Sequence, residues 1–148
     1  MKIEKMNLSH VPAVHKIFSE CLSDPWSEAA LCEEVQNPSS LYFVAMTGED
    51  VMGFGGVKII AGEAYITNIA VSGKHRRCGV GSKILKEIIN CCSAESCTFV
   101  TLEVRVSNSV ATKMYEKAGF VSQGIRRAFY SHPTEDANIM TLFLKDLN

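Results

Sequence analysis

The sequence predicts an α/β fold in which helices flank one mixed sheet, and three observations carry that expectation. Strand-like runs at Leu41 to Met46, Val51 to Ile60 and Ala64 to Val71 follow one another across short turns containing Gly48 and Gly62, which makes an antiparallel meander. The last of these runs leads through a glycine loop into a helix-like run and then into a buried strand, Thr98 to Val104. Apolar residues also recur at helical spacing on either side of the meander.

Taken in order, Ile3 to Met6 reads as a short strand. Ser9 is expected to cap a first helix whose Val11, Val14, Ile17, Phe18 and Leu22 form one stripe, with Pro12 tolerated in the first turn. A second helix follows Ser27, turns Ala30, Leu31 and Val35 inward and stops at Asn37-Pro38. After the meander, Val80, Ile84, Leu85, Ile88, Ile89 and Cys92 make the core face of a third helix that starts near Ser82. Ser109 to Ala118 forms a fourth, closed by Gly119. Strands at Phe120 to Arg127 and Ala137 to Leu144 complete the pattern, and Leu144 to Asn148 carries no helix signal.

At 148 residues the chain is expected to be one domain, residues 1–148, burying about two-thirds of its unfolded surface without staples. Fifteen Lys and Arg against sixteen Asp and Glu leave it nearly neutral, so no nucleic-acid footprint is expected. The six cysteines, at 21, 32, 78, 91, 92 and 97, lack C-x-x-C pairs, which argues against a metal site and for reduced thiols. With neither a signal-peptide core at Met1 to Lys5 nor an apolar run of membrane-spanning length, a cytoplasmic protein without membrane attachment is expected.

The loop Arg76-Arg77-Cys78-Gly79-Val80-Gly81-Ser82 is the strongest chemical signal. Gly79 and Gly81 can take φ > 0 turns that aim successive N–H groups into one concavity, and the following helix adds its positive end, so a pyrophosphate fits. Simple turn punctuation is the alternative. Neither a G-x-x-x-x-G-K-[ST] nor a G-x-G-x-x-G pattern is present, so nucleoside-triphosphatase and dinucleotide readings fail. Cys78, beside basic residues, could carry a stabilised thiolate or be a tolerated loop residue.

Four ordered blocks then carry a family resemblance: Ile66 to Val71, Arg76-x-x-Gly79-x-Gly81, Leu102-Glu103-Val104-Arg105-x-x-Asn108, and Met114 to Phe120. Together they resemble the GNAT superfamily of N-acetyltransferases. Pro25-Trp26-Ser27-Glu28, Ile125-Arg126-Arg127-x-Phe129-Tyr130 and Glu135-Asp136-Ala137-x-Ile139-Met140 are similar to its RimI type, the ribosomal-protein-alanine N-acetyltransferases, over nearly the whole chain. The resemblance implies a mostly antiparallel, seven-stranded sheet flanked by about four helices, acetyl-CoA as co-substrate, no metal, and a ribosomal protein's amino terminus as acceptor. Small-amine acetyltransferases and non-catalytic acyl-CoA-binding modules remain alternatives, and oligomeric state stays open.

Acetyl transfer from a thioester to an amine needs a proton acceptor for the amine, a polarised carbonyl and a proton for the thiolate. Glu103 stands near the end of the apolar strand Phe99-Val100-Thr101-Leu102, where reduced solvation favours taking a proton; a glutamate turned to solvent or paired with Arg105 is the alternative. Tyr115 follows Asn108 by seven residues, about two helical turns, so both can face one site. Otherwise Tyr115 is a core aromatic and Asn108 a helix cap. The resemblance makes Glu103 the base, Tyr115 the acid and Asn108 a coenzyme contact. It also implies that Ile69, Ala70 and Val71 act through their backbone, pairing with pantetheine, with one amide near the thioester oxygen. Trp26, Arg127 and Tyr130 are expected to flank the acceptor, against core or solvated roles.

Overall fold

The computed structural model of the protein describes residues 1–22 and 24–144. Seven strands form one sheet: β1 (Lys2–Lys5), β2 (Ser40–Thr47), β3 (Asp50–Ile60), β4 (Glu63–Val71), β5 (Phe99–Arg105), β6 (Val121–Tyr130) and β7 (Glu135–Phe143). Four α-helices accompany it: α1 (Val11–Cys21), α2 (Glu28–Gln36), α3 (Val80–Ala94) and α4 (Ser109–Lys117). The strand order is β1-β2-β3-β4-β5-β7-β6, and every pairing is antiparallel except β4 with β5. The one parallel pair is the one that needs a crossover, and α3 supplies it.

Strand alternation divides the core between the two faces. Tyr42 and Val44 of β2 and Phe54 of β3 pack with Val14, Phe18 and Leu31, under α1 and α2. Phe43 and Ala45 point the other way, to Ile84, Leu85, Ile88 and Tyr115 of α3 and α4. Leu31 is the one fully buried residue of α2; Cys32 and Val35 pack beside it, and Glu34 ties the helix to Ser40 and Lys58. On the opposite face α3 lies close because β3 is bare there: a Cβ at Gly55 would come within 2.6 Å of Ile84.

Several local expectations are corrected. Asn7, not Ser9, is the first cap: its Oδ1 accepts from Ser9 N–H at 2.9 Å and opens a 3-10 turn, Leu8–His10, ahead of α1. Leu22 falls past the end of α1 and is exposed, and Ala30 and Val35 are only half-buried. The third helix begins at Val80 instead of Ser82, and β6 extends to Tyr130, because pairing of Tyr130 with Glu135 continues the hairpin past Arg127. Of the carboxyl-terminal tail, residues 145–148 lie outside the described residues. No helix among the described residues is long and apolar enough to cross a membrane.

Candidate active site

The parallel pair β4–β5 fails partway along, and that failure makes the site. Pairing runs from Glu63 with Phe99 to Tyr65 with Thr101 and then stops. β4 continues to Val71 on β3 alone, and β5 continues to Arg105 on β7 alone. Neighbouring residues of a strand turn their N–H and C=O groups to opposite edges. Ser72 N–H bonds Met52 O on the β3 side at 2.9 Å, so the peptide groups of Val71, and of Ile69 two residues earlier, face the gap. Ala70 lies between them, its peptide groups turned to β3. A β-bulge between Gly56 and Val57 leaves Thr67 without a register partner; its Oγ1 bonds the phenol of Tyr42 and the carbonyl of Gly56 instead.

The gap opens into a cleft of about 770 Å3 lined by both diverging strands, the end of α1, the start of α4 and the β6–β7 turn. Glu103 and Tyr115 both line it, together with Asn108, Tyr65, Ile69, Trp26 and Tyr130. Residues 38 positions apart and more in sequence thereby share one space.

Glu103 is neither solvent-facing nor paired with Arg105. Its side chain is 9% exposed; Oε1 accepts from the Tyr65 phenol at 2.5 Å and Oε2 from Arg126 Nε at 3.0 Å. Arg105 is engaged elsewhere. Its guanidinium donates to Ser131 O, Pro133 O and Glu135, and it lies 4.4 Å over the Tyr130 ring. Glu135 also accepts from Ser107 N–H at 2.7 Å, and these bonds from Ser107, with Arg105 beside them, hold its carboxyl below the usual carboxylate range. The β6–β7 turn is thus tied to the end of β5.

Tyr115 is 6% exposed and packs on Phe120 with ring centroids 5.5 Å apart. It is a core aromatic and a cleft residue at once. Burial pushes its phenol well above the ordinary range, so the hydroxyl keeps its proton. Asn108 also combines both readings: it lines the cleft while its Oδ1 caps α4, accepting from Ala111 N–H at 3.1 Å.

In the glycine loop the left-handed positions are Arg77 (φ 64°) and Gly79 (φ 78°), whereas Gly81 sits inside the first turn of α3. Gly81 serves closeness and not φ: a Cβ there would stand 3.2 Å from Met114 Sδ, tighter than an ordinary contact. With no side chain capping α3, the N–H groups of Val80, Gly81 and Ser82 are left to a ligand or to water. That is the donor set a phosphate needs. Arg76 does not reach toward it; its guanidinium turns back to Val71 O and to Cys21 Sγ, each at 3.4 Å. The Cys78 thiol is exposed and lies 3.5 Å from Arg76 O.

Of the residues expected to flank an acceptor, Trp26 packs against Phe18 at 5.5 Å and still lines the cleft. Tyr130 lines it as well, its phenol pushed up to about 12 by burial and then by Glu103. Arg127 is exposed on β6 and, like Arg126, stands outside the cleft lining; Arg126 nevertheless reaches Glu103, whereas among the described residues Arg127 makes no hydrogen bond or ion pair with the other site residues. Sequence reasoning missed Tyr65, Cys21 and the part played by Arg126. For Tyr65 a signal existed, since it alternates with buried Ala64 and Ile66 on a strand that feeds the site.

This architecture is that of an acyl-transferring α/β enzyme, and comparison with known proteins agrees. The Acetyltransferase (GNAT) family matches residues 11–120, and the chain belongs to that family. The [ribosomal protein bS18]-alanine N-acetyltransferase of Escherichia coli (strain K12) is 32% identical over 144 residues, 95% of this chain and 95% of that one. The crystal structure of the ribosomal-protein-S18-alanine N-acetyltransferase from Escherichia coli superposes with a TM-score of 0.88 at 30% identity, over 96% of this chain and 92% of that one. Ard1 from Thermoplasma volcanium gives 0.86 at 25% identity, over 97% of each chain. The family resemblance drawn from the four sequence blocks, and the seven-stranded fold it implies, are borne out.

Proposed function

We propose that the protein transfers the acetyl group of acetyl-CoA to the α-amine of an amino-terminal alanine on a small-subunit ribosomal protein. Near-full-length likeness to enzymes named for that reaction supports the acceptor. The observation that carries the chemistry is that Glu103 and Tyr115 line one cleft where the backbone of Ile69 and Val71 is turned to the gap between β4 and β5.

Pantetheine would pair with the edge of β4 that β5 leaves, while the pyrophosphate would take the N–H groups from Gly79 to Ser82. The acceptor enters between Trp26 and Tyr130. Glu103 accepts a proton from the ammonium, directly or through water, freeing the nitrogen lone pair to attack the thioester carbonyl. As the C–N bond forms, the Val71 amide stabilises charge on the carbonyl oxygen. The C–S bond then breaks, the Tyr115 hydroxyl gives its proton to the departing thiolate, and the proton still carried by the new amide nitrogen leaves to restore the Tyr115 hydroxyl, directly or through water. No acetyl-enzyme intermediate is needed, since both substrates are held together.

The test is thiol release from acetyl-CoA with an alanine-first ribosomal peptide, run beside the same peptide with a blocked amine. Turnover with the free amine alone supports the proposal. Turnover confined to polyamines or aminoglycosides would transfer the reading to a small-amine enzyme, and tight acetyl-CoA binding without turnover on any amine would make the protein a binding module.

A further inference from the structure

Glu103 is bonded through both oxygens by groups from very different places in the sheet. Tyr65 stands at the fork of the sheet and holds Oε1; Arg126 comes from β6, the edge strand, and holds Oε2 through a single nitrogen. Arg126 is 57% exposed against 9% for the glutamate. To make this contact the arginine reaches over β7, past Ala137, its register partner, which is fully buried between Arg126 on one side and Arg105 on the other.

The two arginines flanking Ala137 are not equivalent. Arg105 has two carbonyls, a carboxylate and an aromatic ring as partners, whereas Arg126 makes one hydrogen bond among the described residues. Exposed one-point ion pairs are weak and exchange their partners easily. The carboxylate they leave is not weakly placed: it is nearly buried, fixed by a phenol and on the wall of the cleft. A primary ammonium is a compact cation that can make the N–H to Oε2 bond that Arg126 makes.

We infer that Arg126 is a displaceable counter-ion of Glu103, holding the carboxylate until the acceptor's ammonium takes its place and returning when the product has become a neutral amide. This rests on the reading of Glu103 as the group that meets the acceptor amine. Arg126 is therefore a positioning residue that sets acceptor affinity. It selects for cationic amines, because a neutral amine or amide gains too little at Oε2 to exchange with a guanidinium.

The test compares Arg126→Gln, Arg126→Lys and the parent enzyme at saturating acetyl-CoA with an alanine-first peptide, and repeats Arg126→Gln in a Glu103→Gln background by equilibrium peptide binding. Removing an exposed competitor is expected to lower the peptide KM about three- to fivefold at low salt, with the gap closing as salt is raised. Arg126→Lys should stay near the parent, the acetyl-CoA KM should not move, and Arg126→Gln should change peptide affinity less than twofold once Glu103 is gone. A peptide KM that rises or stays fixed in Arg126→Gln overturns the inference, as does an equal effect in both backgrounds. A fully active Glu103→Gln enzyme is a separate result, removing the base reading itself whatever Arg126 does.

Discussion

Tyr65 and Glu103 meet at the fork of the sheet. Tyr65 is the last residue of β4 to pair with β5, opposite Thr101, and its phenol bonds the carboxylate two residues further along β5. Burial, and then the carboxylate itself, push that phenol well above its ordinary range, so it remains a donor. Tyr65 thus aims the glutamate without taking its place.

From this pair follows a graded loss of activity. Positioned general bases contribute about 10²- to 10⁴-fold, so Glu103→Gln is expected to lower kcat by about a hundredfold or more while thermal unfolding stays close to the parent's. Tyr65→Phe leaves the carboxylate in place but unaimed, and about a tenfold fall is expected. Steady-state thiol release measures both; full activity of Glu103→Gln at neutral pH would remove it as base.

Tyr115→Phe keeps the packing on Phe120 and deletes the proposed proton donor. A fall in kcat of about tenfold or more, with peptide and acetyl-CoA KM little changed, is expected. An unaltered kcat would assign thiolate protonation to water.

All four tyrosines, Tyr42, Tyr65, Tyr115 and Tyr130, have phenols raised by burial, Tyr130 to about 12. Their unfolded counterparts titrate near about 10. Below that pH neither state loses the protons, so the contribution to stability is fully present; above it the unfolded chain releases protons that the native state retains, and stability falls as pH rises. Urea midpoints should therefore be insensitive to these groups at neutral pH and fall beyond about pH 10, with phenolate absorbance appearing together with unfolding. Phenolate formation well before unfolding would refute this.

Arg105 ties β5 to the β6–β7 turn through Ser131 O, Pro133 O and Glu135 and stacks on Tyr130. Arg105→Ala is expected to raise the peptide KM about five- to tenfold with little change in the acetyl-CoA KM, because the loosened turn lines the cleft that the proposed acceptor enters. Arg105→Lys should rescue only part, since lysine lacks the planar fork. Equal loss toward both substrates would point to general unfolding.

The edge of β4 that β5 leaves gives the sharpest contrast. Val71→Ile conserves the amide and is expected to cost less than about twofold in kcat/KM, whereas Val71→Pro removes the amide and should abolish measurable turnover. Circular dichroism establishes whether the proline variant is folded. Gly79→Val, strained at φ 78°, should weaken acetyl-CoA binding, read by equilibrium titration.

The sequence by itself determined the elements, because helix and strand periodicities are local: the stripe Val14, Ile17, Phe18 and the alternation through Phe43, Val44 and Ala45 are legible within a few residues. It also pointed to Glu103, Asn108, Tyr115 and the glycine loop, since their ordered spacing resembles a family pattern. Boundaries moved where longer-range bonds intervened, as when the Tyr130–Glu135 pair extended β6. What only the tertiary structure decided is who partners whom. Arg105, two residues along the same strand, is the partner for Glu103 that the sequence suggests, yet in the fold Arg126 reaches the glutamate across β7, which strand order puts between β5 and β6. The fork of β4 from β5, the Tyr65 contact and the exclusion of Arg127 likewise follow from strand register, a relation between segments far apart in the chain that no local pattern encodes.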